Sequence, residues 1–78
     1  MGLTLTDDAR EYVQDRARDA ATAARILGTP LPDPATAVDA MTPALIAHLT
    51  YLWGGDPSRA IRPDTLIAAY VAALEDAR

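Results

Sequence analysis

Between Asp39 and Asp56 the chain runs Ala-Met-Thr-Pro-Ala-Leu-Ile-Ala-His-Leu-Thr-Tyr-Leu-Trp-Gly-Gly without a formal charge. This stretch, Ala40 to Gly55, holds the sequence's one tryptophan, Trp53, and its one histidine, His48. Lipid does not cover such a segment, because a membrane-spanning helix needs about 20 predominantly apolar residues. It must lie among other helices of the chain or against a partner. Thr42-Pro43 reads as a helix start: the hydroxyl caps, and proline at the first helical position lacks only an N–H that would go unbonded. Met41 is then placed to staple onto Ile46. Gly54-Gly55 supplies the stop, since glycine accepts the left-handed conformation that ends a helix. At about 100° per residue, Leu45, Ile46, Leu49, Leu52 and Trp53 share one face. The other face, with Ala44, Ala47, His48, Thr50 and Tyr51, carries no charge.

The remaining sequence supplies the cover. Met1 to Leu5 reads as a lead-in, and Thr6-Asp7-Asp8 as a cap followed by carboxylates near the positive end of a helix dipole. A first helix is expected from about Asp7 to Leu27, stopping at Gly28. Its inward stripe, Ala9, Val13, Ala17, Ala20, Ala24 and Leu27, is mostly alanine, widened by Tyr12 and Ala23. Pro30, Pro32 and Pro34 make Thr29 to Pro34 an extended connector, with Leu31 placed to anchor it on the core. Asp33-Pro34 then opens a short helix to Ala40, with Val38 and Met41 facing the core. Asp56-Pro57 begins a turn or single helical turn through Ile61. The last helix starts near Pro63, with Leu66, Ile67, Tyr70, Val71 and Leu74 on its inner face. Thr65, Ala68, Ala69 and Ala72 fall on its outer side, and no charge lies between Asp64 and Glu75. No segment alternates with the period of a half-buried strand. The expectation is one all-α domain over residues 1–78. It is a compact bundle of three main helices and one or two short ones, with a proline-rich connector after the first. The expected core is Leu45, Leu49, Leu52, Trp53, Leu66, Tyr70 and Leu74.

Composition narrows the function classes. A chain of 78 residues is near the lower limit for independent folding, burying only about 60% of its unfolded surface. There is no cysteine, which excludes disulfides and thiolate chemistry. The net charge of −4 disfavours direct binding of nucleic acid, which relies on clustered Lys and Arg. All seven basic residues are arginine, and Lys, Asn and Phe are absent. That bias points to a high-GC genome, bacterial or phage. Met1 to Arg10 lacks the basic start and apolar run of a signal peptide, so a cytoplasmic location is expected.

Sites for chemistry are sparse. A Ser–His nucleophile would need His48 beside Ser58, the one serine, ten positions on and across a helix end. A zinc site needs several Cys, His or carboxylate ligands, and one His without Cys does not supply them. No glycine-rich phosphate loop is present. The expectation is therefore no catalytic residue, no cofactor and no metal. Asp8, Glu11, Asp15 and Asp19 line one side of the first helix at steps of three, four and four. They read either as a solvated face balanced by Arg10, Arg16, Arg18 and Arg25, or as a docking strip for a basic partner.

Trp53-Gly54-Gly55 is similar to the Trp-x-Gly of small secreted helical hairpin proteins of mycobacteria and their relatives. Their tail signal, Tyr followed four positions on by Asp or Glu, is not matched, because Tyr70 is followed there by Leu74. The acidity and length are also similar to those of acyl carrier proteins. The serine that holds the phosphopantetheine arm has no counterpart in Asp39-Ala40-Met41-Thr42-Pro43. Ala23 to Gly28 resembles the opening of a helix-turn-helix, against which stand the three prolines and the acidic charge. No family follows from these comparisons. The residues point instead to a non-enzymatic interaction module that binds a protein partner or itself. Its expected contact residues are Ala44, Ala47, His48, Tyr51, Thr65, Ala68, Ala69 and Ala72, with no membrane and no nucleic acid. The alternative is an acidic inhibitor or accessory protein, host- or phage-encoded, whose strip Asp8, Glu11, Asp15 and Asp19 blocks a basic nucleic-acid-binding surface of a partner protein.

Overall fold

The computed structural model describes residues 4–77. Most of the expected lead-in, Met1 to Leu3, and the terminal Arg78 lie outside them. Three α-helices form the bundle expected from sequence: α1 (Leu5–Leu27), α2 (Pro34–Trp53) and α3 (Pro63–Asp76), with a single 3₁₀ turn at Ser58–Ala60 before α3. No strand occurs among the described residues.

α1 begins two residues before its expected start. Thr4, not Thr6, is the cap: its hydroxyl accepts from the Asp7 N–H at 3.0 Å, and the Asp7 carboxylate accepts from the Thr4 N–H at 3.3 Å. This reciprocal pair needs an acceptor side chain three residues after the cap. Thr4 has Asp7 there, whereas Thr6 has Ala9. Hydrogen bonding to Thr4, chiefly from its backbone N–H, holds the Asp7 carboxyl below its ordinary pKa. At the other end Gly28 takes the left-handed conformation, φ 68°.

The larger correction concerns α2. The short helix expected over Pro34 to Ala40 and the central helix expected from Thr42 are one continuous element of 20 residues with Pro43 inside it. Asp33 caps it through the Thr36 N–H at 3.1 Å, with Pro34 in the first turn. Thr42 caps nothing; its hydroxyl donates to the Val38 carbonyl at 2.7 Å, one turn back. The supposed Met41–Ile46 staple disappears with the cap. An interior proline costs about 3 kcal/mol. Against that, Val38, Leu45 and Leu49 are all buried, with Met41 half-buried between them. Their spacing of three, four and four is one stripe of one helix, and burying each large side chain contributes about 1.5–3 kcal/mol. The stripe outweighs the break. Asp39, whose carbonyl loses its N–H partner to Pro43, is exposed, where water can serve instead. Gly54 ends α2 at φ 70°.

α3 packs chiefly on α1 and then on α2, while α1 and α2 touch least. Trp53 near the end of α2 reaches Asp8 near the start of α1, so these two helices run antiparallel. The core is Ala9, Val13 and Ala17 of α1, Val38, Leu45 and Leu49 of α2, and Leu66, Ala69, Tyr70, Ala73 and Leu74 of α3. Tyr70, 1% exposed, shares this core with the small α1 side chains Ala9, Val13 and Ala17. Burial pushes its phenol pKa above the ordinary value. Two expected core residues are corrected: Leu52 is 52% and Trp53 47% exposed. They occupy the last turn of α2, beyond the buried stripe. The α1 stripe also fades, from buried Ala17 through half-buried Ala20 and Ala24 to exposed Leu27. Length explains it: 23 residues of α1 make about 34 Å, and 14 residues of α3 only about 21 Å.

Candidate interaction surfaces

The uncharged residues of α2 lie where the periodicity puts them. Ala44, Ala47, His48 and Tyr51 are all exposed, and Tyr51 reaches 88%. On α3, Thr65, Ala68 and Ala72 are exposed, but Ala69 is not. At 7% exposure Ala69 belongs to the core. It lies one turn before Ala73, and two alanines at that spacing let a neighbouring helix come close. The placement of Ala69 on the outer face is thus corrected, and three of the four α3 positions stay open to solvent.

A second surface follows the α1–α2 seam. Asp8, Glu11, Tyr12, Asp15 and Arg16 of α1 and His48 of α2 line an open groove of about 490 Å³. The Tyr12 and His48 rings meet with centroids 5.2 Å apart and planes tilted by 39°. The Arg16 guanidinium carbon lies 5.5 Å from the Tyr12 ring centroid. At one end the Trp53 indole N–H donates to Asp8 Oδ2 at 2.7 Å. The bond gives the indole N–H of this half-exposed tryptophan a partner on the other helix.

The acidic strip is largely engaged. Asp8 holds Trp53, Asp15 Oδ1 accepts from Arg18 at 3.0 Å, and Asp19 pairs with Arg16 at 3.4 Å. Arg10, expected to balance the strip, pairs with Asp7 at 2.9 Å instead. These pairs are exposed, so solvent screens them and each contributes little to stability. Glu11 makes no ion pair among the described residues.

A third surface caps the opposite end. Ala24, Leu31 and Leu74 line an open apolar groove of about 470 Å³ beside the ends of α1 and α3. Ile26 and Leu27 stand exposed nearby in sequence, at 75% and 71%. Leu31, expected to anchor the proline connector on the core, is 41% exposed and is not among the side chains packed against the core, so that expectation is corrected. Sequence periodicity did not announce this groove, because it arises where α1 outruns α3.

His48 faces Tyr12, and Ser58 opens the 3₁₀ turn with its N–H donating to Asp56 Oδ1 at 3.0 Å. That bond holds the Asp56 carboxyl below its ordinary pKa. Among the described residues no group of His, Asp and Glu side chains is arranged to hold a metal ion, and no helix is long and apolar enough to cross a membrane. Set against models of protein families, curated proteins and solved structures, the chain matches none of them.

Proposed function

We propose that this chain is a small non-enzymatic interaction module, binding a protein partner or a second copy of itself through the uncharged faces of α2 and α3. The observation that carries this reading is Tyr51, 88% exposed among the exposed Ala44, Ala47 and His48. A helix on a solvated surface normally places charges there. Interfaces instead favour tyrosine, whose ring supplies apolar area and whose hydroxyl stays satisfied when covered. Alanine beside it lets a second helix approach closely. On α3, Thr65, Ala68 and Ala72 extend the same character to a second element.

The alternative, an acidic protein that blocks a basic nucleic-acid-binding surface through Asp8, Glu11, Asp15 and Asp19, has less support. Three of those four carboxylates already hold partners within the chain. Salt separates the two readings: an acidic-strip complex weakens steeply with ionic strength and an apolar one does not. The direct test is Ala47→Glu combined with Ala68→Glu, read by light scattering and by partner binding. Both positions are exposed, so the fold survives while self-association or partner binding is lost. A doubly charged variant that keeps the parent's oligomeric state and all of its partners overturns the proposal.

A further inference from the structure

We infer that the groove on the α1–α2 seam is a recognition site for a guanidinium group, the side chain of an arginine presented by a partner polypeptide. The inference starts from the floor. Tyr12 and His48 set two rings side by side, 5.2 Å between centroids, in a groove open to solvent. An aromatic face attracts a planar cation, guanidinium more readily than ammonium, because the guanidinium stacks flat and is less strongly hydrated. The walls carry the matching charge. Asp8, Glu11 and Asp15 line the groove against a single positive residue, Arg16. Glu11 makes no ion pair among the described residues. Asp8 uses Oδ2 for Trp53 and Asp15 uses Oδ1 for Arg18, leaving each a second oxygen. A guanidinium brings five N–H donors in a fixed fork, which matches several carboxylate oxygens around one ring.

The groove already shows this chemistry on a small scale. Arg16 stands over Tyr12 at 5.5 Å while its own ion pair, to Asp19, is made with a residue that does not line the groove. Arg16 is therefore an internal occupant of the ring face and a competitor of the ligand. An incoming arginine displaces it toward Asp19 and takes the face, with Glu11 as its main carboxylate. Trp53, hydrogen-bonded to Asp8 at the end of the groove, reports the event. The site shares His48 with the α2 surface and Asp8, Glu11 and Asp15 with the acidic strip. It takes one side chain rather than a whole basic surface, and its test leaves Ala47 and Ala68 untouched, so the two readings fail separately.

The test uses the full chain and three capped amino acids: Nα-acetyl-arginine amide, its lysine counterpart, and its citrulline counterpart, which keeps the shape without the charge. Proton NMR follows the Trp53 indole N–H and the His48 ring. The arginine probe should give saturable shifts of both signals with a dissociation constant on the order of millimolar. Lysine should bind several-fold more weakly and citrulline at least about fivefold more weakly. Glu11→Gln should weaken the arginine probe at least about threefold, and Arg16→Met should strengthen it by a similar factor. Both positions are exposed, and circular dichroism should show that each variant keeps its helices. The inference is overturned by any of three results: no saturable shift, equal response to citrulline, or an Arg16→Met variant that binds no better than the parent.

Discussion

At the scale of single residues, the most consequential side chain in the core is Tyr70. It is 1% exposed, in a core whose buried α1 members are Ala9, Val13 and Ala17. Burial raises its pKa from the ordinary 10.0 because the ionised phenolate loses its hydration. The sign of the consequence follows from proton counting. Above pH 10 the unfolded chain gives up the phenol proton while the folded chain keeps it, so the unfolded state binds fewer protons and stability falls as pH rises. Below that pH the group contributes no slope. Urea unfolding midpoints measured from pH 8 to 11 should stay level and then drop beyond pH 10. Tyr70→Phe, which keeps the ring, should flatten that drop; an equal drop in the variant would assign the alkaline loss to other groups.

At the scale of elements, Pro43 is the residue whose sequence reading and structural role part most clearly. Thr-Pro is a sound helix start when taken by itself, and the local signal at Thr42-Pro43 is not weak. It loses because Val38 to Leu49 forms one buried stripe, and only a continuous helix brings all of it to α1 and α3. Tertiary packing overrides a local preference here, at a cost that remains in the helix. Pro43→Ala should restore the missing hydrogen bond to Asp39 and raise stability by about 1–2 kcal/mol, less than the full proline penalty because the unfolded chain also gains freedom. Chemical denaturation measures it, and a destabilised variant would mean that the proline is shaped into the packing. The same contrast shows what was legible in advance. The stops at Gly28 and Gly54, the Asp33-Pro34 start and the turn before α3 were legible because each rests on one residue's backbone preference. The Thr4 cap was missed because Thr6 is followed at once by two carboxylates. The groove on the α1–α2 seam was only half legible: its acidic wall shows in the spacing along α1. The meeting of Tyr12 with His48 and of Asp8 with Trp53 depends on how two distant helices pack.

At the scale of the whole molecule, the core is narrow and its ends are open. Among the described residues eleven apolar side chains form the core cluster, and four of them are alanine, two in α1 and two in α3, so a few large residues carry most of the packing. Leu45 and Leu49 are both 0% exposed, whereas Leu52, on the same face one turn further, is 52% exposed. Periodicity gave these three leucines equal standing, and only the reach of the neighbouring helices separates them. The separation is measurable. Leu49→Ala removes a fully buried side chain from a core with little else to fill the space, and should cost about 2–5 kcal/mol. In a domain of this size that lowers the melting temperature by about 10 °C or more. Leu52→Ala removes a side chain that water already reaches, and should cost less than about 1 kcal/mol in the isolated chain. If Leu52 belongs to a surface that a partner or second copy covers, its cost should grow with the concentration of whatever covers it, since binding stabilises only the folded state. Thermal melts of both variants, run over a hundredfold range of protein concentration, read the two effects together. A Leu49→Ala loss below about 0.5 kcal/mol would mean that the α2 stripe is assigned to the wrong face. A Leu52→Ala loss equal to that of Leu49→Ala at every concentration would mean that the end of α2 is part of the core of the single chain.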